Sequence, residues 1–223
     1  MSSSDSSHVL ISPRYASFAF SVLLISHLVG AIGLNAPGYN QIFENLAAIN
    51  LLLSFVLVII FQKPVNLNFI LFCAIAFAAG MAAEICGVNS GLPFGVYHYT
   101  SKLGISLAGV PLIIGLNWVL LSYVCGIVAK DYTNGRWQRI LAASLLMVAI
   151  DLLLEGFAIK HGFWLWETQS PPISNFISWF LISMGIQWVF YKLVPVSVNK
   201  TAFRYLFVLF IFLLADRVAL WLH

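Results

Sequence analysis

Residues 67–88 read LNFILFCAIAFAAGMAAEICGV, an apolar run with a single charged residue, Glu84, near its far end. About 20 apolar residues in a helix cross the ~30 Å hydrocarbon layer of a bilayer. The stretch therefore predicts a membrane-spanning helix that carries one carboxyl group into the membrane. Comparable runs flank it on both sides. Together they predict seven helices, over Tyr15–Leu34, Leu46–Phe61, Leu67–Val88, Ile105–Ala129, Trp137–Ile159, Ser174–Leu193 and Ala202–Trp221. Pro, Gly, Asn and Lys punctuate the breaks. The second run is short for a span, which predicts little tilt or a partly interfacial position.

Composition agrees with an all-α, polytopic transmembrane bundle. Of 223 residues, 61% are hydrophobic and 9% charged, against roughly 25% charged in soluble domains. Seven spans use nearly the whole length, so residues 15–223 form one transmembrane domain. Residues 1–14, MSSSDSSHVLISPR, read as a disordered cytoplasmic tail, not a cleaved signal peptide. Ser12-Pro13 suits a helix cap followed by a first helical position. Cys73, Cys86 and Cys125 form no CxxC pair and read as buried small hydrophobes.

Basic residues set the expected orientation. Arg14, Lys63, Lys130, Arg136, Arg139, Lys192, Lys200 and Arg204 fall on one side of this arrangement; Lys102, Lys160 and Arg217 fall on the other. The amino terminus is expected inside and the carboxyl terminus outside. A net charge of +3 distributed this way marks membrane topology, not nucleic-acid binding. The acids lean oppositely: Glu44, Glu84, Asp151, Glu155, Glu167 and Asp216 lie in the outer half, and only Asp5 and Asp131 lie inside. Carboxylates influence topology little, so a polar site opening outward is expected.

Ionisable groups inside a membrane are costly and mark function by default. Glu84, Asp151, Glu155 and Asp216 qualify. Asp151 and Glu155 are four apart and share a helix face, roughly 12 Å and 6 Å below the end of their helix. Glu84 sits at a depth similar to Glu155. The negative end of each helix dipole and low-dielectric surroundings both favour the uncharged carboxyl. At least one of these groups is thus expected to hold its proton near neutral pH, as a general acid requires. The competing role is hydrogen bonding between helices, which is favoured for Asp216 beside Arg217. Glu44 fits a solvated first helical turn.

A short internal echo supports a shared site. Glu84 is followed seven residues later by Gly91, opening GLPFGVYHY, and Glu155 seven residues later by Gly162, opening GFWLWE. Both copies face the same side, as in a parallel repeat. The loop Asn89–Lys102 carries Phe94, Tyr97 and Tyr99, and the alternation about His98 suggests an extended piece. Asn89, Phe94, Tyr97, Tyr99, Asn117, Trp118, Trp164, Trp166 and Asn175 are candidate substrate contacts. Interfacial aromatic belts are common and alone account for Trp164 and Trp166. They do not explain Asn117 and Trp118, expected near the middle of the fourth span. Asn175 opens the sixth helix and reads either as a pocket residue or as a first-turn donor.

Absences narrow the chemistry. His8, His27, His98, His161 and His223 lack the HxxxH and HxxHH spacings of membrane di-iron enzymes, and no metal site is expected. A DDxxD diphosphate motif and a phosphate-gripping glycine loop are both missing. The last span has no lysine for a retinal Schiff base.

The elements E-x-x-G-V-x-S-G-L-P-F-G-x-Y-x-Y from Glu84, V-P-L-I-I-G-L-N-W at Val110–Trp118 and D-x-x-x-E at Asp151–Glu155, followed by W-x-W at Trp164–Trp166 and P-x-x-N at Pro172–Asn175, carry a resemblance. They resemble the bacterial and archaeal carotenoid biosynthesis protein family, which includes carotenoid hydratases of the CruF type. The resemblance covers about residues 70–190; the first two helices and the last add only hydropathy. It implies a multi-pass protein of a bacterial or archaeal cytoplasmic membrane that adds water to the terminal double bond of an acyclic carotenoid. The implied substrates have the open ends of lycopene, gamma-carotene or bisanhydrobacterioruberin, and the product is a tertiary alcohol. It also implies no redox cofactor, with carotenoid, water and the lipid bilayer as partners and other carotenoid enzymes as possible neighbours.

Glu84 or Glu155 is expected to be the acid with Asp151 its electrostatic partner, or the roles are reversed. Two alternatives stay open. A membrane lycopene cyclase begins with the same protonation but captures the cation with an internal alkene. A non-catalytic carotenoid or lipid carrier, or a small transporter, binds without turnover.

Overall fold

The computed structural model describes residues 13–195 and 199–219. Among these the chain forms seven α-helices: α1 (Ala16–Asn35), α2 (Asn40–Ile59), α3 (Leu67–Ser90), α4 (Leu112–Tyr132), α5 (Arg136–His161), α6 (Ile173–Leu193) and α7 (Lys200–Ala219). Four short strands, β1 (Tyr97–Tyr99), β2 (Ser106–Leu107), β3 (Val110–Pro111) and β4 (Trp164–Trp166), lie in the α3–α4 and α5–α6 connections. Of the expected tail, residues 1–12, with Ser12, fall outside the described residues, and so does Trp221. Pro13 opens a 3-10 turn to Tyr15.

Six helices, α1–α6, are long and apolar enough to cross a membrane; the protein is a multi-pass membrane protein. Helix α7 carries Lys200, Arg204, Asp216 and Arg217 and is not among the six. Outward faces are apolar: Phe18, Ile25 and Ile32 on α1, Ile42 and Ile49 on α2, and Leu67 and Ile70 on α3 are all exposed. Water would penalise such a surface, whereas lipid tails match it.

Helix α4 is the centre of the bundle. Its sequence is apolar on every face from Leu112 to Ala129, the pattern of a helix with no solvent side. Nearly all of its residues from Ile114 to Ala129 are buried. It touches α2, α3, α5, α6 and α7.

Four helix boundaries depart from the sequence expectation for a local reason. Helix α2 begins at Asn40, six residues early, and is a full 20 residues long. Its polar first turns hid it, because Glu44 is not solvated but pairs with Lys102. Helix α4 starts at Leu112 instead of Ile105, because β2 and β3 form a hairpin whose turn residues Ala108 and Gly109 both have positive φ, as a two-residue primed turn requires. Asn117 and Trp118 therefore lie in the second turn of α4, not at mid-span. Helices α3 and α5 run on to Ser90 and His161, where the left-handed Gly91 and Gly162 cap them. Glu84 and Glu155 each sit six residues from those ends, so both lie about 9 Å deep.

Strands β1 and β4 pair antiparallel, with Tyr97 opposite Trp166 and Tyr99 opposite Trp164. The two echoing segments are thus joined to each other, giving one end of the bundle a small strand cap. The cap is docked sideways onto α6, where Ser178 and Ser174 donate to the carbonyls of Pro93 and Phe94 at 2.9 and 3.0 Å.

Candidate active site

Alternation along a strand sends successive side chains to opposite faces. In β1, Tyr97 and Tyr99 face the bundle and His98 faces out; in β4, Trp164 and Trp166 are buried and Leu165 is exposed. Each strand thereby places two aromatic donors over the carboxylate of the helix that precedes it. Tyr97 and Tyr99 both donate to Oε2 of Glu84, the latter at 2.8 Å. Trp164 and Trp166 both donate to Oε2 of Glu155, at 3.0 and 2.8 Å. Burial first, then the neighbouring Glu84 charge, pushes both phenols far above the usual tyrosine range, so they act as neutral donors. The interfacial-belt account of Trp164 and Trp166 fails, because both are buried and their N–H groups point inward.

Helices α4 and α6 complete the cluster. Trp118 donates from Nε1 to Oε1 of Glu84 at 3.0 Å. Its ring stacks on Trp179 at a centroid separation of 3.9 Å and 17°. Asn175 donates to Oδ2 of Asp151 at 3.0 Å and reaches Oε1 of Glu155 at 3.5 Å. Hydrogen-bond donors are therefore shared unevenly: three for Glu84, two close ones for Glu155 and one for Asp151.

Glu84, Asp151 and Glu155 line one void of about 20 Å³ together with Tyr97, Tyr99, Asn117, Trp164, Trp166, Asn175 and Trp179. No Lys, Arg or His is among its described lining residues. By this measure a water needs roughly 10–15 Å³, so the void takes one. A larger apolar cavity of about 350 Å³ lies between α1, α2, α4, α5 and α7. The two share Ile114, Asn117, Leu154 and Trp164 as a common wall. Exposed Val29, Leu46 and Ile49 border the larger cavity, so it reaches the lipid-facing surface between α1 and α2.

Eleven of the twelve expected site residues are brought together or packed directly behind the cluster. Phe94 is behind it, edge-on to Tyr97 at 6.2 Å. Asn89 is apart: it is exposed and ties the loop down by donating to the carbonyls of Ile85 and Ala108. Sequence reasoning missed Trp179, whose signal was its position one turn after Asn175. It also missed a second charged cluster at the same end of the bundle. There Asp216 accepts from Lys160 at 3.0 Å and Asn35 at 3.1 Å and lies 3.0 Å from His161 Nε2. Glu44 pairs with Lys102 at 2.7 Å. Glu44 is 7% exposed, which overturns its assignment to a solvated turn; Asp216 has the structural role expected of it. Among the described residues, no group of three or more His, Cys, Asp or Glu is placed to hold a metal ion.

No curated protein and no solved structure matches the chain. A family of carotenoid biosynthesis proteins matches it over residues 45–222. The match takes in three quarters of α2 and the whole described length of α7, both of which the sequence reading credited with hydropathy alone. The chain belongs to the carotenoid biosynthesis protein family.

Proposed function

We propose that the protein hydrates the terminal double bond of an acyclic carotenoid end group, of the lycopene, gamma-carotene or bisanhydrobacterioruberin type. The observation that carries this reading is the shared wall: a water-sized void ringed by three carboxyl groups abuts an apolar cavity open to lipid. Water addition to an unactivated alkene brings together one reactant from each medium.

Three carboxylates around a void without a cation cannot all be charged, because like charges and lost hydration oppose it. Donor count indicates which one carries the proton. Glu84 and Glu155 accept several N–H and O–H groups, which stabilise an anion. Asp151 accepts one, from a neutral amide, and its Oδ1 has no partner among the described residues. Asp151 is accordingly the acid, the second of the two orders that the sequence left open. Its proton adds to the less substituted alkene carbon and leaves a tertiary cation. The faces of Trp164 and Tyr99, which line the void, and the anionic glutamates stabilise that cation. The oxygen of the resident water bonds to it, and a proton from that water returns to Asp151. Atoms and charge balance without oxidant or reductant.

Expression in a lycopene-accumulating bacterium tests the proposal. Extracted pigment should gain the mass of one or two waters. Unaltered lycopene, together with unaltered gamma-carotene and bisanhydrobacterioruberin in matching hosts, would refute it. A new pigment of unchanged mass would indicate ring closure instead.

A further inference from the structure

We propose that Asn117 is the positioning residue for the attacking water. This deepens the hydratase reading and rests on it. Three observations converge on the side chain. First, it is only 9% exposed, yet its carboxamide makes no hydrogen bond to any described residue. Its amide atoms are not sealed in the core but face the voids that the residue lines, where a small polar ligand can meet them. Second, it lines both the carboxyl void and the apolar cavity. The rest of the shared wall is Ile114, Leu154 and Trp164, whose indole N–H is already given to Glu155. Third, the other neutral donors around the void are committed. Tyr97, Tyr99 and Trp118 donate to Glu84; Trp164 and Trp166 donate to Glu155; Asn175 donates to Asp151. Asp151 keeps its unpartnered Oδ1 for the alkene proton, which leaves Asn117 as the neutral side chain with both a donor and an acceptor to offer. A water needs that pair if it is to be held with a lone pair aimed at carbon.

The backbone at Asn117 is fixed by its neighbour. Trp118 is clamped between the stacked Trp179 ring and the Glu84 carboxylate, which sets the rotation of this turn of α4. The amide is thus presented at the wall of the site.

The role separates two steps that acid variants cannot separate. Without a held water, Asp151 still protonates the alkene, and the cation then loses a proton and returns to alkene. In deuterated water that return leaves deuterium in the end-group carbons of recovered substrate. Asn117→Leu and Asn117→Val, assayed in membranes with an acyclic carotenoid in deuterated water, should lower hydration about tenfold or more. Deuterium should continue to enter the recovered carotenoid at close to the parent rate. Two results overturn the assignment: hydration and exchange falling together in a variant that melts like the parent, or hydration unchanged. Should one variant fail to accumulate, the other carries the same two readouts. If the parent protein itself neither hydrates nor exchanges, the hydratase reading fails, which is a different result from either.

Discussion

Replacing Gly80 with Ala should destabilise the protein, although alanine is the better helix former by about 1 kcal/mol. Gly80 lies in α3 opposite Trp118. A Cβ built there meets Trp118 Cγ at 2.4 Å, Cδ1 at 2.6 Å and Cβ at 2.7 Å, where carbon contacts settle near 3.5–4.0 Å. The indole has to withdraw by about 1 Å, and the stacked Trp179 blocks its retreat. Overpacking of this kind costs about 1–3 kcal/mol. Loss of the Trp118 hydrogen bond to a buried carboxylate adds about 1.5–3 kcal/mol. Subtracting the propensity gain leaves a net loss of roughly 1.5–5 kcal/mol. Gly185→Ala is the control, because nothing lies within 4 Å of a Cβ there; it should be neutral or slightly stabilising. Thermal unfolding in detergent reads stability, and pigment turnover reads the effect on Glu84. Equal melting and turnover for Gly80→Ala and Gly185→Ala would refute the reasoning that α3 and α4 are held apart by one indole.

Three further outcomes follow from the site. Asp151→Asn and Glu84→Gln preserve side-chain shape and should retain bound pigment in purified protein while losing turnover by about 10²-fold or more; hydration at the parent rate in Asp151→Asn would remove it as the acid. Trp166→Phe withdraws one of two indole donors from Glu155 and should cost about 1.5–3 kcal/mol; a double-mutant cycle with Glu155→Gln should show a coupling above about 0.5 kcal/mol, and additive effects would deny the contact. Asp216→Ala leaves Lys160 and His161 facing an emptied pocket. Breaking a buried pair costs about 3–5 kcal/mol, and because Lys160 is partly exposed a loss of about 2–3 kcal/mol in detergent unfolding is expected, with the product profile unchanged.

Much of the bundle was legible because hydropathy needs only composition. The run 67–88 and its Glu84 read correctly, since one charge among apolar neighbours has few roles. The spacing of Asp151 to Glu155 put both on one helix face, and the Glu-to-Gly echo turned the two carboxyl-bearing segments toward the same side of the membrane. What the sequence hid were contacts made across long separations. Glu44 looked solvated because its partner Lys102 lies far along the chain. Trp164 and Trp166 looked interfacial because their inward N–H groups are set by strand pairing with Tyr99 and Tyr97. Asn117 and Trp118 were placed too deep because a two-residue turn at Ala108 and Gly109 is invisible to hydropathy.

The paired strands roof two glutamates at the same depth with donors of different chemical character. Indole N–H groups can only donate, so the pair above Glu155 admits an acceptor and nothing else. Phenolic hydroxyls rotate and can accept as readily as they donate, so the pair above Glu84 tolerates a proton arriving on Oε2. A near-symmetric scaffold therefore gives one glutamate a roof that can only donate and its twin a roof that can also accept.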